Sequence, residues 1–293
     1  MTTEEARTIA ENFHDRASCT EEEFFEFTEA MNFLIEKEQD PRDMLYLGGV
    51  YYELKNFDLA LKYYEMAASY DYDPAYECLG YIWYYGRTGV KDYKKAYECF
   101  SRLMEKGDLV ATYKIADMYK NGYYLPKDQN KYEEMIESLY PKVIKCNDVF
   151  DPVPEVYTHL AKIRTAQGKI REAVDLYFKA KHYLAQRIRY NAFFGNMNIM
   201  KWLIDDLYEL IPFDEEDFDF YDLYYLLKFP HTVTFVAYGE MHEIVSEKDE
   251  GTCAVCFDGQ WFRDREEFIR GAEIDGERLT EIYMDLEDFR CVS

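Results

Sequence analysis

The sequence contains no apolar run approaching the roughly 18 residues of a membrane-spanning helix, so membrane insertion is not expected. Positive charge is also scarce. Lys and Arg number 34 against 58 Asp and Glu, a formal net charge of -24. Such a field repels phosphate backbones and anionic lipid, which disfavours nucleic-acid and membrane partners and leaves a protein or peptide partner as the expectation. The first residues, "MTTEEARTIAENFHDR", lack the basic and apolar regions of a secretory signal. Cysteine is sparse, odd in number and scattered: Cys19, Cys78, Cys99, Cys146, Cys253, Cys256 and Cys291. Reduced thiols in a cytoplasmic protein are the expectation. Phosphate loops, dinucleotide glycine patterns, HExxH and nucleophile elbows are all missing. Carboxylates are too abundant for any acid–base pair to stand out. No catalytic residue, metal or cofactor is therefore expected.

Aromatic residues are plentiful, with 29 Tyr and 20 Phe among 293 residues, enough apolar bulk for folded cores. The length exceeds one ordinary core and calls for two domains or a repeat array. An internal period is visible. Ala75, Leu79, Gly80, Gly86, Asp92, Lys95 and Phe100 meet Ala111, Ile115, Ala116, Gly122, Asp128, Lys131 and Ile136 at an offset of 36. Gly80 falls inside a helical pattern, where it costs about 1 kcal/mol relative to alanine, so a neighbouring helix is expected to approach it closely. Gly86 suits a left-handed helix end and Gly89 a turn with positive φ. Asp92 suits the N-cap of a second helix whose apolar face includes Ala96, Phe100 and Leu103. Each unit is a helix–turn–helix that cannot bury its face alone. Similar small–large spacing recurs at Leu47, Gly48, Tyr51, Ala60, Tyr64 and Ala67, and at Leu160, Ala161, Gly168, Ala173, Tyr177 and Ala180.

These landmarks carry a resemblance. Residues 75–110, with "LGYIWYYGRTGVKDYKKA", closely resemble a Sel-1-like repeat in its Leu-Gly, Gly-x-x-Gly-Val and Asp-Tyr-x-Lys-Ala positions. Residues 111–146 resemble a degraded copy in which Leu125 replaces the second loop glycine and Tyr132 the alanine. Residues 43–74 and 152–184 resemble the related tetratricopeptide repeat. The resemblance covers about half of the chain. It implies a mainly α fold, a right-handed superhelical array of helix–turn–helix repeats whose first helices line a concave groove.

Residues 1–40 are expected to form capping helices, one near 3–16 and one opened by a capping box at Thr20 and Glu23. The array then spans 41–190 and additional helices 191–229, including "NMNIMKWLIDDLYELI" and "FDFYDLYYLLK". Residues 230–293 read as a small α+β domain. "TVTFVAY", "EMHEIVS", "TCAVCF" and "DFRCV" suit strands, Asp258-Gly259 a hairpin turn, and "DREEFIRGA" and "ERLTEIYMDL" short helices.

The groove positions that the tetratricopeptide resemblance implies are Tyr52 and Glu53; Glu77, Tyr81, Tyr84 and Tyr85; Tyr113, Asp117 and Lys120; and Lys162. A tyrosine-rich groove suits a peptide or helix of a partner, which implies an adaptor or scaffold. The plainer alternative packs several of these rings between helices. Nine acidic side chains from Asp205 to Asp222, with no basic residue among them, support a second reading, an acidic inhibitor or immunity-type protein neutralising a basic partner. Residues 142–190 reverse the balance, with ten basic and five acidic residues, and Lys162, Arg164, Lys169 and Arg171 suggest a basic patch for an acidic segment of a partner or of this chain. The only metal-like motif is Cys253-x-x-Cys256, to which His231, His242 and Cys291 could add ligands. Residues three apart on a strand face opposite ways, so two buried structural cysteines are expected rather than a catalytic or metal-binding module.

Overall fold

The computed structural model describes residues 1–13, 19–145, 152–249 and 252–292. Cys146 lies outside the described residues, as do residues 14–16 of the expected first helix. The chain divides into two compact units, Met1–Met135 and Ile136–Ser293.

The first unit is built of antiparallel helix pairs. Helices α1 (Thr3–Asn12) and α2 (Glu21–Glu38) open on capping boxes at Thr2–Glu5 and Thr20–Glu23. The pairs α3 (Pro41–Glu53) with α4 (Phe57–Ala68), and α5 (Asp73–Tyr85) with α6 (Tyr93–Glu105), come next. Helix α7 (Leu109–Asn121) then leads to α8 (Gln129–Val143), which runs into the second unit. Phe27, Met31, Leu34, Met44, Leu47 and Tyr63 form one core, and Phe100, Leu103, Ile115 and Met118 anchor another.

The sequence period reappears in the hydrogen bonds. Gly86 and Gly122 end α5 and α7 in the left-handed region, at φ 63° and 72°, their N–H groups donating to the carbonyls of Ile82 and Met118. The Asp92 N–H donates to Trp83 and the Asp128 N–H to Tyr119, each at 3.0 Å. Both aspartates cap the next helix, accepting from the N–H groups of Lys95 and Lys131. The units α5–α6 and α7–α8 thus share the helix–turn–helix geometry that the 36-residue period implies. Where Leu125 replaces the second loop glycine, the positive φ moves one residue back to Tyr124.

Gly80 has the close neighbour its position demands. A Cβ there would lie 2.6 Å from the ring of Phe100, which is fully buried on α6. Gly48 meets Tyr64 of α4 in the same way, at 2.7 Å. Gly80→Ala gains about 1 kcal/mol of helix propensity but overpacks a ring that cannot swing out, costing about 2 kcal/mol. The expected net loss, about 1 kcal/mol, is read from the urea midpoint; an increase would show that the helices do not need this approach.

In the second unit α9 (Val153–Ala166) packs on α10 (Ile170–Tyr190), followed by α11 (Phe194–Leu210). "FDFYDLYYLLK" forms a 3-10 turn, Phe220–Asp222, and the one-turn α12 (Leu223–Leu226), shorter than the helix expected. Pro230 biases the residue before it away from helical geometry, so this segment cannot extend. The strands β1 (His231–Ala237), β2 (Glu240–Asp249), β3 (Thr252–Phe257), β4 (Gln260–Phe262) and β7 (Leu286–Val292) make a five-stranded sheet. It is antiparallel throughout, in the order β4-β3-β2-β1-β7. Helix α13 (Arg265–Gly271) covers one face through Phe268, which meets Phe257 and Phe262. The expected helix in "ERLTEIYMDL" is not formed. Asp275 and Gly276, both at positive φ, turn the chain into a small hairpin of β5 (Glu273–Ile274) and β6 (Glu277–Arg278), and only a 3-10 turn at Tyr283–Asp285 succeeds it.

Candidate functional site

Helix periodicity puts Tyr81, Tyr84 and Tyr85 on one side of α5, and the side chains of α7 that meet them are Tyr113, Lys114 and Asp117. At their centre lies Lys114, only 4% exposed. Its ammonium is 5.0 Å from the ring centroids of Tyr81 and Tyr84, and 4.9 Å from those of Tyr85 and Tyr113. It donates a hydrogen bond to the Tyr85 hydroxyl at 2.8 Å. The negative faces of the rings compensate the buried charge.

The surrounding contacts extend this cluster across three successive first helices. The rings of Tyr81 and Tyr85 are stacked, 6.1 Å apart and nearly parallel. The Arg87 guanidinium lies over Tyr85 at 4.8 Å and donates through Nε to the Tyr52 hydroxyl of α3 at 3.0 Å. The hydroxyls of Tyr81 and Tyr113 are 3.3 Å apart. The Tyr84 hydroxyl donates to Asp117. Burial pushes the Tyr84 phenol well above its ordinary range, and the Asp117 carboxylate adds to the shift. Burial also raises Tyr52, against the opposing pull of Arg87.

The sequence-derived positions therefore divide. Tyr52, Tyr81, Tyr84, Tyr85, Tyr113 and Asp117 join one network. Tyr84 and Tyr113 are buried at 6% and 5% exposure and support it from below, as the packing alternative holds, whereas Tyr85 is 39% exposed. Tyr52, Tyr81 and Asp117 are half-buried. Lys120, also half-buried, lies over the Tyr132 ring at 5.3 Å. Lys162 belongs to the second unit and pairs with Asp206 at 2.9 Å.

Lys114 and Arg87 were not legible as site residues. The signal for Lys114 is the period itself: the 36-residue offset sets it at the position of Cys78, whose thiol is pushed up to about 12 by burial. A lysine at an interior position of the repeat needs compensation, and the tyrosines provide it.

In the second unit the acidic run is partly engaged by the chain itself. Asp206 pairs with Lys162, Asp205 with Lys228, and Asp219 and Asp222 with Lys181. Glu209 and Asp214, Glu215, Glu216 and Asp217 are exposed. Arg164 pairs with Glu137 and Glu172, and Lys169 lies 3.9 Å from Glu172, so much of the expected basic patch meets this unit's own carboxylates. Among the described residues no helix is long and apolar enough to cross a membrane.

Cys253 and Cys256 lie on β3 at positions that alternate onto opposite faces, and both are half-buried rather than fully buried. His242 Nδ1 meets Asp258 at 2.6 Å while its ring stacks on Phe235. His231 Nδ1 meets the Phe229 carbonyl, and Cys291 sits opposite Val233. Among the described residues no three His, Cys, Asp or Glu side chains converge as metal ligands.

No family model and no curated protein matches the chain. The solved structures similar to it include the following two. One is a Sel1 repeat protein from Oxalobacter formigenes, 22% identical, with 61% of this chain and 67% of that one covered and a TM-score of 0.45. The other is c5321, a protective antigen of uropathogenic Escherichia coli displaying an SLR fold, 18% identical over 65% of this chain, at a TM-score of 0.39. The chain spans 46% of the length of that antigen.

Proposed function

We propose that this protein is a non-catalytic adaptor, and that the tyrosine face of α3, α5 and α7 holds a peptide or helix of a partner protein. The observation that carries the reading is the Tyr52–Arg87–Tyr85–Lys114 series, in which two cations alternate with rings across three first helices. Rings fixed in this way lose little entropy on binding, and tyrosine supplies flat contact area with a polar end. Tyr81 and Tyr85 are the contact residues, with Tyr52, Asp117 and Lys120 around them, over the supporting Tyr84 and Tyr113; Lys162 would serve a second contact. Affinity capture from native lysate under reducing conditions, comparing wild type with Tyr81→Ala/Tyr85→Ala, tests the reading. A protein retained by wild type and lost by the variant supports it. Equal retention rejects it.

The exposed acidic residues Glu209 and Asp214 to Asp217 favour a second reading, an inhibitor or immunity-type protein that neutralises one basic partner. Its mark is an association rate that falls steeply with salt while the tyrosine variant stays unaffected.

A further inference from the structure

Lys114 is an exception among the chain's buried charges. Lysine is rarely buried unless paired with an anion. Elsewhere the rule holds: buried Lys181 meets Asp222, and buried Arg187 meets Glu155, both at 2.6 Å. Lys114 has no carboxylate within ion-pairing reach among the described residues. The nearest acid on its own helix, Asp117, accepts from the Tyr84 hydroxyl instead. An ammonium has three donors, and among the described residues Lys114 spends one, on the oxygen of Tyr85.

That hydrogen bond fixes the role of Tyr85. Its oxygen accepts from Lys114, and its ring centroid is 4.9 Å from the Lys114 ammonium and 4.8 Å from the Arg87 guanidinium. The hydroxyl proton of Tyr85 meets no acceptor among the described residues, and this side chain is 39% exposed. A phenol whose oxygen accepts from an ammonium is a stronger donor, because hydrogen bonds in a chain polarise one another. The complementary group is an anion, and the low dielectric around Lys114 strengthens its attraction.

From this geometry we infer that the face recognises an acidic side chain, an Asp or Glu within a partner's docking segment, which accepts from the Tyr85 hydroxyl over the Lys114 charge. The inference rests on the adaptor reading and adds the chemistry of the partner. It runs against the protein's net charge of -24. Long-range repulsion therefore slows association with acidic segments in general, and the short-range pairing selects one that places its carboxylate at this point.

The test is selection of a random twelve-residue peptide library, fused at its C-terminus to the display protein so that only internal carboxylates are offered, on the full chain. Clones that also bind Tyr81→Ala/Tyr85→Ala are subtracted. The expected survivors carry Asp or Glu at one fixed position. Synthetic versions with Gln or Asn there, and the Tyr85→Phe variant against the acidic peptide, both bind roughly ten- to a hundredfold more weakly, the loss of one charge-assisted hydrogen bond. Tyr85→Phe keeps the ring and the Lys114 charge but removes an acceptor of the buried ammonium. Its urea midpoint is therefore measured beside the affinity, and the weakened binding is expected under conditions where the variant is fully folded. Survivors without a fixed acid, or with affinity unchanged in Tyr85→Phe, overturn the acidic anchor and leave the adaptor reading standing. An absence of survivors overturns both.

Discussion

Asp222→Asn is expected to destabilise the protein by about 3 kcal/mol, one of the largest losses available from a nearly isosteric change. Asp222 and Lys181 are 3% and 6% exposed and meet at 2.6 Å between the Phe220–Asp222 turn and α10. Asn keeps the acceptor for the Asp219 N–H, which reaches Asp222 Oδ2 at 2.9 Å, so the variant removes charge and leaves the local cap. The Lys181 ammonium then remains buried with only the exposed Asp219, 2.8 Å away, to compensate it. An unpaired buried cation is the costly species, not the missing contact. Lys181→Met/Asp222→Asn is accordingly expected to recover most of the loss, because both charges leave together. Denaturant midpoints for wild type, Asp222→Asn and the double variant check this. A double variant less stable than Asp222→Asn would mean that the pair is held for some reason other than mutual neutralisation.

The second large effect separates binding from support. Tyr81→Ala/Tyr85→Ala is expected to weaken partner binding at least about a hundredfold, since two aromatic anchors commonly contribute about 2 kcal/mol each. It also strips Lys114 of its hydrogen bond to Tyr85 and of two of its four rings. A stability loss of about 1–2 kcal/mol is therefore expected, limited because truncating the exposed Tyr85 opens the ammonium to water. Tyr84→Ala differs. This ring is 6% exposed, stands edge-on to Tyr85, Tyr93, Tyr123 and Phe100, and its hydroxyl occupies Asp117. Its removal leaves a cavity and releases a carboxylate, a stability loss of about 3 kcal/mol. Denaturant midpoints measured beside binding assays distinguish the two. Equal binding by wild type and Tyr81→Ala/Tyr85→Ala would refute the face; a stable Tyr84→Ala would refute the division of labour beneath it.

Much of the first unit was legible because repeat proteins write their geometry locally. Gly80 has to be small for Phe100, Gly86 and Gly122 end helices at positive φ, and Asp92 and Asp128 cap the next ones; each requirement acts within a few residues or across one helix pair. The tyrosines were legible as a set on one side of a helix. Their depth was not, since whether Tyr84 or Tyr85 lies innermost depends on the neighbouring helix. Lys114 escaped because a lysine reads as surface unless the ring cage is already known, and that cage draws on two helices 29 residues apart in hydrogen bonding. In the sheet region the hairpin at Asp275-Gly276 was not legible, although it uses the same dipeptide as the turn at Asp258-Gly259, which was. The run "ERLTEIYMDL" has helical composition, but pairing of Ile274 with Glu277 across the turn claims its start, and the fully buried Leu279 and Thr280 anchor the next residues in the core. A local turn with the right φ pattern outranked weak helix propensity there.

The central claim is that the partner rests on the first-helix face. Site-specific photo-crosslinking tests it most directly, with a photoreactive phenylalanine analogue placed in turn at position 77, one turn before Tyr81 on α5, at the exposed position 94 on α6, and at position 215 in the acidic run. The account predicts that the captured partner crosslinks from position 77 and from neither of the others. Crosslinking from position 215 with none from position 77 would contradict it and move the site to the acidic segment.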